Sequence, residues 1–163
     1  MRIQFKRTIA TAVAVLALST MNTPAHAAAT QADVDYSTKV AALVQEFGKV
    51  ATAWGAATAN PPSLAIGSKY TAYKAKAIKT SDAVLVTVKK MKALTPSEGF
   101  AKSGPALTKI MTAYETAVTS VKNAISKNDA KGMKKANALI TSASNDYAAW
   151  AKTFGEDVAT LNG

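Results

Sequence analysis

Three breaks, at Asn60-Pro61-Pro62-Ser63, Thr95-Pro96-Ser97-Glu98-Gly99 and Asn128-Asp129, divide this 163-residue chain into four long segments, and each carries one apolar stripe. In the first, Tyr36, Val40, Leu43, Phe47, Val50, Trp54 and Ala57 recur at alternating steps of three and four. That spacing puts them on one face of an α-helix. The second stripe runs Tyr70, Tyr73, Ala77, Ser81, Val84, Val88 and Met91, widened by Ile78 and Leu85. The third is Leu107, Ile110, Tyr114, Val118, Val121 and Ile125; the fourth runs from Met133 through Ala136, Ile140, Ala143, Tyr147, Trp150, Phe154 and Val158 to Leu161. Proline stops a helix because it lacks an N–H and restricts the residue before it. Ser103-Gly104-Pro105 reads as the start of the third helix, with Pro105 in the first turn, where a missing N–H costs nothing. Asp129 is a candidate N-cap for the fourth. No run alternates with the period of a strand. Helices of ~25–30 residues are ~40 Å long, and short connections make neighbours antiparallel. The expected fold is all-α, an up-down-up-down four-helix bundle, with Ala, Ser and Thr at flanking positions allowing close approach.

The segment ahead of the first stripe differs in character. Arg2, Lys6 and Arg7 precede an uncharged apolar run, residues 9–18, and then Ala25-His26-Ala27. A basic start, a short apolar run and a small-x-small end form the pattern of a secretory signal peptide. The run falls well short of the ~20 residues that span a bilayer. The expected organisation is a signal peptide over residues 1–27 and one bundle domain over residues 28–163, secreted or periplasmic, with no transmembrane span in the mature chain. The chain has no cysteine to carry a lipid, and Arg2 and Arg7 are not the adjacent pair of a twin-arginine signal. Cleavage after Ala27 removes His26, the one histidine. What remains has no His, Cys or Arg: seventeen lysines stand against ten Asp and Glu, a net charge of +7. Without disulfides such a domain depends on its core, and at this size folding buries roughly two-thirds of the surface of the unfolded chain.

The run from Leu94 to Trp150 resembles a helical hairpin found in small exported bacterial helical-bundle proteins of unknown function. The shared features are Leu94 and Pro96 before the hairpin, Phe100 shortly after, Tyr114 within its first helix, Ala124-Ile125 near that helix's end, Asp129 at the turn, and repeated Ala beyond it. The resemblance covers a little over a third of the chain and implies a fold and a compartment rather than an activity.

The residue inventory narrows the chemistry. Without His or Cys, no His-assisted triad, thiol nucleophile or zinc site of the usual nitrogen and sulfur type can be built. The Glu-x-x-His motif of a ferritin-like di-metal site is absent. Glu46, Asp82, Glu115 and Asp146 each fall near the middle of one helix, and four carboxylates at one height can hold a hard cation. Asp82 and Glu115 follow stripe positions and point away from the seam, whereas Glu46 and Asp146 flank it between helices 1 and 4. The expectation is four solvated acids and no metal. Met91, Met111 and Met133 sit at helical spacing and read as core rather than as copper ligands. A Ser/Lys nucleophile pair needs a buried lysine, and the lysines near Ser126 lie at a turn. No catalytic residue is assigned, no cofactor is expected, and the chain reads as non-enzymatic.

Charge placement carries the functional expectation. In the up-down-up-down topology, one end gathers the start of helix 2, the end of helix 3 and the start of helix 4. These segments hold Lys69, Lys74, Lys76, Lys79, Lys122, Lys127, Lys131, Lys134 and Lys135, with Asp129 as the one nearby acid. The opposite end mixes Asp33, Asp35, Glu98, Glu156 and Asp157 with lysines and is near neutral. A basic pole concentrates anionic partners, here an envelope or extracellular polymer held weakly and electrostatically. Lysine is a hydrated point charge without the bidentate fork of arginine, so sequence-specific nucleic-acid recognition is not expected. The expected function is a binding or structural module of the cell envelope. The alternative is a carrier of a small apolar ligand between the helices, with Trp54, Tyr70 and Tyr73 lining its pocket.

Overall fold

A computed structural model describes residues 29–62 and 66–162; the expected signal peptide lies outside the described residues. The four stripes become four helices: α1 (Gln31–Thr58), α2 (Gly67–Lys92), α3 (Ser103–Lys127) and α4 (Ala130–Asn162), with a 3-10 turn at Glu98–Phe100. No strand occurs among the described residues. Consecutive helices pack side by side and antiparallel, giving the up-down-up-down bundle.

Local chemistry fixes the ends. At the start of α1, Thr30 and Asp33 form a capping box, each side chain bonded to the other residue's backbone N–H. At the end of α3, Asn128 adopts the left-handed conformation (φ 56°), and the N–H groups of Asn128 and Asp129 close onto the last carbonyls. Asp129 then caps α4, its carboxylate accepting from the Gly132 N–H at 2.8 Å. Pro105 sits in the first turn of α3, as its residue type requires. The turn into α2 passes through Gly67 at φ +83°, a backbone conformation that costs glycine least.

Side-chain size decides how near the helices come. α3 buries Ala117 and Ala124 and α4 buries Ala136 and Ala143, and this pair of helices is the most intimately packed. The α1 and α4 backbones, by contrast, scarcely come within 8 Å of one another. Aromatic rings fill the space between them. Tyr36 meets Phe100 at 5.0 Å between centroids, Phe100 meets Phe154 at 5.0 Å, Phe154 meets Trp150 at 5.2 Å and Trp150 meets Tyr147 at 5.2 Å. Tyr147 continues to Phe47 at 5.7 Å, and Phe47 to Tyr114 at 5.1 Å. Ring pairs at such distances contribute beyond their buried area. Two of the rings also make buried hydrogen bonds: Trp150 Nε1 donates to the Ser103 carbonyl at 3.0 Å and the Tyr114 hydroxyl to Ser144 Oγ at 3.0 Å. Burial raises the pKa of the Tyr114 and Tyr147 phenols, keeping both neutral.

Candidate anion-binding end

The lysine-rich segments meet where α2 begins and α3 turns into α4, and two contacts fasten them there. The Tyr70 hydroxyl donates to Asn128 Oδ1 at 2.5 Å, and Lys74 Nζ donates to the Ser126 carbonyl at 2.7 Å. The Lys74 ammonium also lies 5.7 Å from the centre of the Tyr70 ring, close enough for a cation–π attraction. Tyr73 stacks on Tyr70 with centroids 5.9 Å apart. The first turn of α2 is therefore tied directly to the α3–α4 turn.

Of the nine expected lysines, Lys74 and Lys122 have structural partners: Lys74 holds the turn, and Lys122 reaches across to Asp82 at 2.6 Å. Lys69, Lys76, Lys79, Lys127, Lys131, Lys134 and Lys135 are exposed, and none of them joins an ion pair among the described residues. Of the nearby acids, Asp82 takes Lys122 and Asp129 spends one carboxylate oxygen on capping α4. Lysines also occur elsewhere on the surface, so the two ends differ mainly in their acids.

Two of the acids at the other end, Asp33 and Asp157, hold backbone N–H groups. Asp33, a buried residue, holds Thr30 and accepts from the Gly99 N–H at 3.0 Å, which fastens α1 to the 3-10 turn. The Thr30 hydroxyl, the Ser97 hydroxyl close by and the backbone N–H groups of Thr30 and Gly99 draw its pKa down to about 2. Asp157 accepts from the Ser103 N–H at 3.1 Å, tying the start of α3 to α4. Gly104 is buried against Pro96, and a Cβ there would collide with the proline ring.

The mid-height carboxylates are not gathered. Glu46 was expected to approach Asp146 between helices 1 and 4; instead it turns to α2, accepting from Lys90 at 2.8 Å and from the Thr87 hydroxyl at 2.9 Å. Glu115 takes Lys92 at 2.6 Å, and Asp82 takes Lys122. These pairs bridge neighbouring helices, and lysine hydrogen bonding lowers the pKa of Glu46 and Glu115. Spacing along one helix cannot reveal such pairs, because the partners are 23 to 44 residues apart. Among the described residues, no three His, Cys, Asp or Glu side chains converge on a point where one ion could sit.

The expected ligand-pocket residues lie on different contacts. Trp54 is buried in the α1–α2 seam with Nε1 donating to Ser81 Oγ at 2.9 Å, whereas Tyr70 faces the α3–α4 turn. A small groove occurs instead between the start of α1 and the end of α4, lined by Val34, Ser37, Phe100, Val158 and Leu161 among others. Sequence spacing gave no sign of it, because its lining comes from residues far apart in the chain. The chain matches no known protein family, no curated protein sequence and no solved structure.

Proposed function

We propose that this protein is an exported, non-enzymatic helical module that binds anionic partners of the cell envelope or its surroundings through its lysine-rich end. One observation carries the reading: seven exposed lysines that join no ion pair among the described residues lie on segments that meet at one end, where Asp129 is engaged as a helix cap and Asp82 by Lys122. Unpaired ammonium groups raise the local concentration of polyanions, and lysine does so without demanding one phosphate geometry. Export rests on the basic start, apolar run and Ala25-His26-Ala27 of the sequence. Among the described residues no helix is long and apolar enough to cross a membrane, so attachment to an envelope would be peripheral.

Binding of inorganic polyphosphate tests this reading. The wild-type protein should bind at low ionic strength and release as salt shortens the Debye length from about 10 Å at 0.1 M to about 3 Å at 1 M. Reversing Lys131, Lys134 and Lys135 to Glu should weaken binding strongly. The comparison triplet is Lys39, Lys102 and Lys109, which leaves the Lys90–Glu46 and Lys92–Glu115 bridges intact. Equal losses from both triplets would reduce the effect to net charge and defeat the proposal.

A further inference from the structure

The lysine-rich end has an apolar tip. Ile66, the residue before α2, is 75% exposed, the most open of the large apolar side chains Val34, Ile66, Val86 and Leu139. Its backbone is extended, Gly67 turns the chain at φ +83°, and the following helix is fastened to the α3–α4 turn through Tyr70 and Asn128. Ile66 is therefore held at the same end as Lys69, Lys127 and Lys131. The other three exposed apolar residues lie within helices.

From this juxtaposition, and resting on the proposed anion-binding role, we infer that the partner is an anionic lipid surface, met end-on with Ile66 entering the interface and the surrounding lysines on the headgroup phosphates. A soluble polyanion provides charge but no apolar phase, so it gives an exposed isoleucine nowhere to go. Among the described residues at that end Ile66 is the one large apolar side chain so exposed, whereas a protein partner would be expected to cover a wider apolar patch. A bilayer of anionic lipid supplies both layers in the right order: charge at the surface, then hydrocarbon beneath it. Point-charge lysines suit headgroups of variable orientation.

The end-on pose makes a graded demand on the lysines. Along α2, Lys69 lies about 5 Å from Ile66, while Lys76 and Lys79 lie about 15–20 Å away at 1.5 Å per residue. That is beyond a Debye length of about 10 Å at 0.1 M salt. Neutralising Lys69, Lys127 and Lys131 to Gln should therefore weaken vesicle binding about a hundred-fold, and neutralising Lys76 and Lys79 far less. Ile66→Ser should weaken it about tenfold.

The test uses vesicles of equimolar phosphatidylcholine and phosphatidylglycerol, with pure phosphatidylcholine vesicles and polyphosphate as the other arms. Because the chain has no cysteine, Ile66→Cys and Glu98→Cys each accept a single environment-sensitive dye. The expected result is a blue shift for the dye at 66 on anionic vesicles alone, no shift for the dye at 98, and an Ile66→Ser variant that loses vesicle affinity but keeps its polyphosphate affinity. Vesicle binding with no shift at 66, or with no loss in Ile66→Ser, overturns the inference. Polyphosphate binding without vesicle binding overturns it while leaving the anion-binding role standing. Failure to bind either at low salt removes both.

Discussion

The two ends of the bundle are built from opposite materials. Where α1 begins and α4 ends, rings from Tyr36, Phe100, Phe154 and Trp150 follow one another in series, and two carboxylates, Asp33 and Asp157, hold the backbone N–H groups of Gly99 in the 3-10 turn and Ser103 at the start of α3. Where α2 begins and α4 starts, the hydrogen bonds that fasten α2 to the turn among the described residues are exposed: Tyr70 to Asn128, and Lys74 to Ser126. Buried rings and part-buried clasps contribute more to stability than exposed hydrogen bonds do. The comparison teaches a division of labour. One end commits two carboxylates, Asp33 and Asp157, to holding the fold, and the other leaves seven of its nine lysines outside any ion pair among the described residues.

The largest effect should come from the ring stack. Trp150→Ala removes a buried indole, its contacts with Tyr147 and Phe154, and the bond to the Ser103 carbonyl. Loss of about 3–5 kcal/mol is expected from such a truncation. Tyr70→Phe at the other end removes one exposed hydrogen bond and should cost about 0.5–1.5 kcal/mol. Urea unfolding of the two variants measures both. Similar midpoints would abolish the contrast between the ends.

The carboxylate clasp sharpens the same contrast through pH. The Asp33 pKa falls from an ordinary value of 3.8 to about 2 on folding. A depressed carboxylate contributes stability that is fully present above the unfolded pKa and is lost as pH falls through the folded one. Thermal midpoints should therefore drop between about pH 4 and about pH 2. Asp33→Asn should be less stable at neutral pH and show a shallower drop in that window. Glu46 and Glu115, also lowered, keep part of the slope in the variant. A slope unchanged in Asp33→Asn would mean that the clasp does not form in solution.

The sequence disclosed each of these regions to a different depth. The helices and their order were legible because steps of three and four, ended by Pro61, Pro96 and Asn128, repeat over long stretches. Asp129 was legible as a cap because its action is local. The Thr30-x-x-Asp33 capping box was equally local and went unread, although its pattern stands just before the first stripe. The Asp157 bond to Ser103 joins residues 54 apart, and the Asp33 bond to Gly99 joins residues 66 apart; no periodicity encodes either. The same holds for the wide α1–α4 separation, which depends on where rings from several elements meet. At the lysine-rich end, the charges were legible by counting along the topology. Ile66 was not, because it stands outside every stripe and only its exposure draws notice.

The smallest effect tests whether the lysine-rich end is fastened at all beyond its helix cap. Asn128 does two things: it accepts the left-handed turn at φ 56°, and its Oδ1 accepts the Tyr70 hydroxyl. Asn128→Ala loses the bond and meets the left-handed penalty, together about 1–2 kcal/mol. Asn128→Gly loses the same bond but enters that conformation freely, so its net change should stay within about 0.5 kcal/mol. If the bond matters, Tyr70→Phe and Asn128→Gly will not add, because each removes the same contact. In the Tyr70→Phe background, Asn128→Gly should then become neutral or stabilising. Strict additivity in that double-mutant cycle would show that the Tyr70–Asn128 bond contributes nothing, leaving α2 tied to the turn by Lys74 and by packing. Hydrogen exchange in the first turn of α2 should then be as fast in Lys74→Met as in the Lys74→Met, Tyr70→Phe double variant.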